Sequence, residues 1–283
     1  MRTLLQPRTA TTRHGATRRY RGWWLFLFVL ALLEESVVLA AVPLNGRTQH
    51  MVFSSAQLQA MAAASYDRKL QALARENLLD RDPALVERVR RIASGIIAQA
   101  ILLKPEAAHW AWEFHIASDD TDAYCMAGGK ILAGERFLRR FSDDELAGLL
   151  GHEIAHAIAE HVREELSAVT EMKPAYARLD LEDVVALLDS DLSVTLKLAP
   201  LSRLQELEAD DIGIYLAARA GHDPRALLDF YRVLGRLDDS PDFFDSHGAP
   251  DQRLQAVENF TAYAEPLYQA SRATPRPAAF VLH

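Results

Sequence analysis

The stretch LLGHEIAHAIAEH, Leu149–His161, sets His152 and His156 four residues apart, with Glu153 directly after the first. On a helix, residues four apart stand one above the other, so both imidazoles can reach one ion. Glu153 lies one position round, beside such an ion rather than on it. This is the H-E-x-x-H arrangement. Zinc held by the two histidines lowers the pKa of a water towards about 7, and the glutamate takes its proton. The surrounding residues support a helix. Ser142 and Glu145 have the spacing of a capping box. Leu146, Leu150, Ile154, Ile158 and Val162 form an apolar row for burial, separate from the row of His152, His156 and Glu160. Gly148 and Gly151 each cost a helix interior about 1 kcal/mol relative to alanine. Their missing side chains imply a close approach by neighbouring backbone or by substrate.

Two histidines leave zinc short, because a catalytic site adds a third protein ligand and keeps one position for water. SRLQELEADDIG, Ser202–Gly213, lies on an expected helix and offers carboxylates. Glu206 and Asp210 are four apart and share a face, while Glu208 points about 200° away from Glu206. Helix geometry therefore favours Glu206 as ligand over Glu208 and Asp211. Asp210 is then placed to hydrogen-bond a ligating histidine and fix its tautomer.

With these segments in view, the sequence resembles the zinc endopeptidase family that contains the CAAX prenyl protease, HtpX and BepA, over about residues 85–260. DELAGLLGHEIAHAIAEH resembles the active helix of that family, and SRLQELEADDIG its E-x-x-x-D segment. DAYCMAGGKIL resembles the strand with paired glycines that precedes the helix, and SHGAPDQRL, Ser246–Leu254, a segment normally written H-P-x-x-x-x-R. The resemblance implies one Zn2+ per chain held by His152, His156 and Glu206, with Glu153 as base and Asp210 in support. It implies that His247 caps the zinc in a latent state or polarises the oxyanion. Gly248, in place of the usual proline, loosens that loop, and a plain loop histidine is the alternative. The resemblance is not expected to extend to the tetratricopeptide domain of BepA or to the several membrane spans of HtpX.

The elements that must position these groups are mostly helices. Residues 51–79 read as one helix, and Asp82-Pro83 opens a second that runs to about Leu103. Trp110–Ser118 alternates as a half-buried strand, and Ala123–Gly134 as a second strand broken at Gly128-Gly129. At that break, glycine allows a substrate peptide to lie along the strand edge. Residues 164–199 read as irregular helix interrupted at Pro174, either a lid or ordinary packing. Further helices are expected over Leu201–Ala220, from Asp223-Pro224 to about Leu237, and near 251–264, with a loose tail over 271–283. The helical phase of His161 puts it off the ligand row and on the surface. His109 and His115 flank a strand as structural or exposed groups, and Cys125 reads as a small strand hydrophobe.

Composition bounds the rest. The chain has 283 residues, 49% hydrophobic and 25% charged, enough for one domain with a sizeable core. Residues 1–41 carry six arginines against two glutamates, a net +4, which leaves −12 for the rest of a chain whose total is −8. So acidic a body argues against nucleic acid as a partner. A single cysteine excludes an internal disulfide and a cysteine zinc cluster. The arginine-rich start runs into Trp23–Leu33, an unbroken apolar run of signal-peptide length. Two readings stand: a signal peptide cut at Ala41, or a retained anchor over Gly22–Val42. Both leave the arginines in the cytoplasm and the body outside it.

The expectation is an α+β, mostly helical, zincin-like domain over 51–265, with a small sheet beside the active helix, a leader over 1–41 and a tail over 266–283. Its expected role is that of an exported, periplasmic zinc metalloendopeptidase, soluble or anchored to the inner membrane, acting on misfolded or misassembled envelope proteins. A peptide-binding assembly chaperone with a latent, His247-capped site is the alternative.

Overall fold

Ser142 accepts a hydrogen bond from the Glu145 backbone and Glu145 bonds back, and this capping box starts the helix on which the site is built. In the computed structural model, residues 38–41, 44–118, 123–181, 183–184, 186, 191–234, 250–273, 280 and 282 are described. They belong to one unit that begins at Val37. The expected apolar run Trp23–Leu33 and His247 lie outside the described residues.

In chain order the elements are β1 (Val38–Ala41), β2 (Thr48–Met51), α1 (Ser55–Arg75), α2 (Pro83–Leu103), β3 (Glu113–Ala117), β4 (Ala123–Met126), β5 (Lys130–Gly134), α3 (Glu135–Leu138), α4 (Asp143–Ile158), α5 (His161–Met172), α6 (Leu192–Arg219), α7 (Ala226–Leu234) and α8 (Pro250–Ala273). Short 3-10 turns occupy Pro105–His109 and Pro174–Arg178. The result is the α+β, mostly helical architecture expected.

Helix α4 runs through the centre. Leu146, Leu150, Ile154 and Ile158 are buried as one row, but Ala147, Leu149 and Ala155 are buried too, so nearly the whole circumference is covered. Helices α2, α6 and α7 and strand β4 supply that cover. The expected row does not reach Val162. Helix α4 stops at Ile158, Glu160 takes a left-handed conformation at φ 56°, and α5 restarts at His161. Lys104 at 3.1 Å and Arg163 at 2.9 Å hold the Glu160 carboxylate at this corner. Glu160 therefore leaves the histidine row.

The three-stranded sheet has the order β3-β5-β4, with β3 parallel and β4 antiparallel to β5. The expected single strand Ala123–Gly134 is thus a hairpin. Gly128 and Gly129, at φ 78° and 80°, make its turn rather than a strand edge. A Cβ on Gly129 would come within 2.4 Å of the Trp112 ring, so that glycine serves packing. Trp110 and Trp112 precede β3, and the Trp112 indole donates to Ala107 O at 2.8 Å. The strand begins only at Glu113.

Other boundaries shift. Residues 48–51 pair with β1, so the first helix begins at Ser55, capped by Ser54. The residues expected at the end of a leader, Val38–Ala41, form β1. Helix α6 begins at Leu192 and carries Pro200 inside it, nine residues before its expected start. Val169 of α5 packs with Val194 and Leu198 of α6, so this part of 164–199 packs as ordinary helix. Helix α8 continues past 265 to Ala273, with Leu267 and Tyr268 against the main core, and Phe280 and Leu282, within the expected loose tail, also lie against it. Among the described residues, no helix is long and apolar enough to cross a membrane.

Candidate metal centre

Helices α4 and α6 cross at two glycines. A Cβ on Gly151 would stand 2.6 Å from Gly213 O, and one on Gly213 would stand 2.6 Å from His152 N. Only hydrogen on both Cα atoms permits this approach. A Cβ on Gly148 would likewise meet the Leu227 backbone of α7 at 3.0 Å. Neighbouring backbone therefore accounts for both glycines of α4.

This crossing brings the carboxylates of α6 to the histidines of α4. His152 Nε2 and His156 Nε2 are 3.1 Å apart. Glu206 places one oxygen 3.5 Å from His152 Nε2 and the other 3.4 Å from His156 Nε2. Among the described residues, these three form a group able to hold a metal ion. Tetrahedral zinc, with bonds of about 2.0–2.2 Å to nitrogen and oxygen, sets its donors about 3.3–3.5 Å apart. The observed spacings, 3.1 Å between the histidines and 3.4 and 3.5 Å from the two Glu206 oxygens, lie close to that demand, and two imidazoles with one carboxylate are a donor set zinc accepts. Glu153, next along α4, is buried beside them.

Asp210 Oδ1 lies 3.0 Å from His152 Nδ1. A carboxylate only accepts, so Nδ1 carries the proton and Nε2 keeps its lone pair for the donor set. Arg253 of α8 forks onto Asp210 at 2.6 and 2.8 Å and reaches Glu206 at 2.7 Å. Tyr231 of α7 donates to Asp210 at 2.7 Å and accepts from Arg253. Burial raises the pKa of Asp210, but the Arg253 charge and the hydrogen bonds from His152 and Arg253 outweigh it and hold the carboxyl well below its usual range. Burial pushes the Tyr231 hydroxyl well up, so it stays protonated and donates.

Arg253 is the arginine of the SHGAPDQRL segment, yet its contact with the carboxylates went unassigned in the sequence. The resemblance of that segment to H-P-x-x-x-x-R carried the signal, but not which groups the arginine would meet. His161 is a correction. It is buried, not on the surface, because the break at Ala159-Glu160 turns the new helix back and sets His161 Nδ1 3.0 Å from His156 Nδ1. Glu208, facing away from Glu206 as its phase requires, lies 3.3 Å from His161 Nε2. Burial lowers the pKa of His161, partly offset by Glu208. Asp211 is not part of the donor group. His115 bonds Asp80 at 2.6 Å, a structural contact remote from α4 in the chain. Cys125 is buried in β4, which pushes its thiol pKa well up, as suits a packing role.

Beside His156 lies a narrow cavity of about 10 Å3, bordered by Leu58, Trp110, Cys125, Ala127, Gly128 and Val162 among others. Gly128 thus borders the site from a turn.

A buried H-E-x-x-H helix crossed by a second helix that supplies a glutamate defines a metallopeptidase domain of the gluzincin type. The chain belongs to peptidase family M48, whose profile matches residues 83–261. It is similar to the mitochondrial metalloendopeptidase OMA1 of Arabidopsis thaliana, 34% identical over 170 residues, 58% of this chain and 35% of the relative. It is also similar to the metalloprotease YcaL of Escherichia coli, 26% identical over 155 residues, 50% of this chain and 59% of the relative. The beta-barrel assembly-enhancing protease of Yersinia pestis is 25% identical over 216 residues, 70% of this chain and 41% of the relative. In each case the chain covers less than two thirds of the relative's length.

Proposed function

We propose that this chain is a zinc-dependent metalloendopeptidase acting on misfolded or misassembled envelope proteins. The observation that carries the catalytic part is the meeting of His152, His156 and Glu206 at mutual distances of 3.1 to 3.5 Å with Glu153 beside them. When bound there, zinc supplies Lewis-acid polarisation of a scissile carbonyl and of a water. The chain's own residues do the rest. Glu153 would accept a proton from the attacking water and pass it to the leaving amine. Asp210, gripped by Arg253 and Tyr231, holds His152 in the tautomer that presents Nε2. The packed shell of α2, α6 and α7 around α4 limits access of bulk water.

The substrate class and the periplasmic setting rest on the arginine-rich, apolar start of the chain and on the role that the Yersinia pestis relative's name states for that protein. The relatives named mitochondrial leave the compartment to experiment. Zinc-loaded protein assayed on unfolded casein, beside Glu153→Gln, tests the chemistry. Cleavage that survives the substitution sinks the mechanism. Suppression of casein aggregation by both forms, with cleavage by neither, supports the chaperone reading instead. A reporter fusion active only outside the cytoplasm tests the location.

A further inference from the structure

The two histidines are supported differently. His152 has a carboxylate directly on Nδ1, whereas His156 has another imidazole there. His161 Nδ1 stands 3.0 Å from His156 Nδ1, with the rings edge-on at 80°. Of two facing ring nitrogens, one must donate and the other accept. His156 turns Nε2 to the donor set, so its proton sits on Nδ1 and is donated to His161. The proton of His161 then sits on Nε2, which faces Glu208 Oε2 at 3.3 Å. Glu208 only accepts; its contact is a close charge pairing rather than a formed hydrogen bond, and it favours the Nε2 proton that the His156–His161 pair already requires.

The far end of the chain comes from the segment around β2. Arg47 reaches Glu208 through Nε at 2.7 Å and through a terminal nitrogen at 2.8 Å, and Asn45 adds a bond at 2.8 Å. The same guanidinium forks onto Glu164 of α5 at 2.6 and 2.8 Å. Gln49 of β2 bonds both Glu164 and Ala159 O, the carbonyl at the end of α4, and Gln205 of α6 bonds Glu164 and His161 O. His161, Glu164, Glu208, Gln49 and Gln205 are all buried. Buried ion pairs of this kind add little net stability compared with an apolar packing of the same volume. What the network does achieve is to fix the ring of His161 from both sides.

We propose that His161, oriented by Glu208 and Arg47, is a positioning residue that sets the tautomer and ring orientation of His156, so that residues 45–49 are a working part of the metal site. The inference rests on the reading of His156 as a zinc ligand. Helix α6 then serves both histidines, Asp210 directly and Glu208 through His161, from opposite sides of the helix.

The test uses the full chain stripped of metal and titrated with zinc against a chromophoric chelator, with circular dichroism confirming the fold of each apo form. His161→Phe and Glu208→Gln are expected to lose about ten- to hundred-fold in zinc affinity, the usual effect of removing a partner behind a ligating histidine. Arg47→Ala loses less, and Arg47→Ala combined with His161→Phe loses no more than His161→Phe alone, because Arg47 acts through His161. The visible spectrum of the cobalt(II) form shifts in His161→Phe. Folded variants with wild-type zinc affinity and an unchanged cobalt spectrum overturn the proposal, as do losses that add in full in the double variant. If His161→Phe does not fold, Glu208→Gln, which keeps the side-chain shape, decides the question alone. Equal zinc binding by wild type and His156→Ala would instead refute the metal reading beneath it.

Discussion

Gly151 of α4 and Gly213 of α6 meet backbone to backbone, so closely that a Cβ on Gly151 would lie 2.6 Å from the Gly213 carbonyl oxygen. The zinc donor set depends on this contact, since Glu206 and Asp210 reach the histidines only from a helix this near.

Gly213→Ala should lower the melting temperature and weaken zinc binding together. Alanine gains about 1 kcal/mol in helix propensity. Overpacking against a rigid neighbour costs about 1–3 kcal/mol, and here the neighbour is the His152 backbone, which cannot rotate away. Repulsion therefore wins, and the helices part. Thermal unfolding and zinc titration read both effects. A melting temperature at or above wild type would mean the helices separate without cost.

Glu153→Gln should keep zinc and lose turnover. Glu153 follows His152 on α4 and is not in the donor group. The amide keeps the shape yet cannot accept the proton, and a lost general base costs about 10²–10⁴-fold. Peptide hydrolysis assayed alongside zinc stoichiometry separates the two roles.

Arg253→Met should strongly destabilise the metal-free protein. It leaves Asp210 and Glu206 facing each other without their shared cation. Breaking a buried pair from one side costs about 3–5 kcal/mol. Added zinc, a replacement cation, should raise the melting temperature of the variant more than that of wild type. Equal zinc-induced shifts would show that Arg253 does not balance the donor-set carboxylates.

Acid should dissolve the clamp around Arg47. Burial raises the Glu208 pKa, but the contacts with His161, Arg47 and Asn45 outweigh it and bring it down to about 2 from 4.5. Glu164 is lowered too, by Arg47, Gln205 and Gln49 against its burial. A carboxyl depressed in the folded state contributes stability above its unfolded pKa and loses it as pH falls towards the folded one. Stability should therefore drop from pH 4.5 towards about 2. Arg47→Ala should flatten that slope, as followed by urea unfolding at stepped pH. An identical slope in the variant would mean Arg47 does not hold the two glutamates down.

Much of the site was legible because its rules are local. The four-residue spacing of His152 and His156, the cap at Ser142, and the shared face of Glu206 and Asp210 all follow from helical periodicity. Whatever turned on a chain break or on a partner far along the chain was hidden. His161 has a surface phase on an unbroken helix, and only the left-handed Glu160 re-aims it. Gly128-Gly129 reads as a broken strand until β4 and β5 pair across it. Nothing in SHGAPDQRL states that Arg253 closes onto Asp210, 43 residues away.

The sequence by itself determined the chemistry on offer: two imidazoles and a base on one helix, carboxylates on another, and the glycines that allow a close crossing. Tertiary structure alone decided which carboxylate meets which imidazole, and that Arg47, Glu208 and His161 stand behind His156. Periodicity fixes directions within one helix, but the distance between two helices is set by the side chains packed, or missing, at their contact.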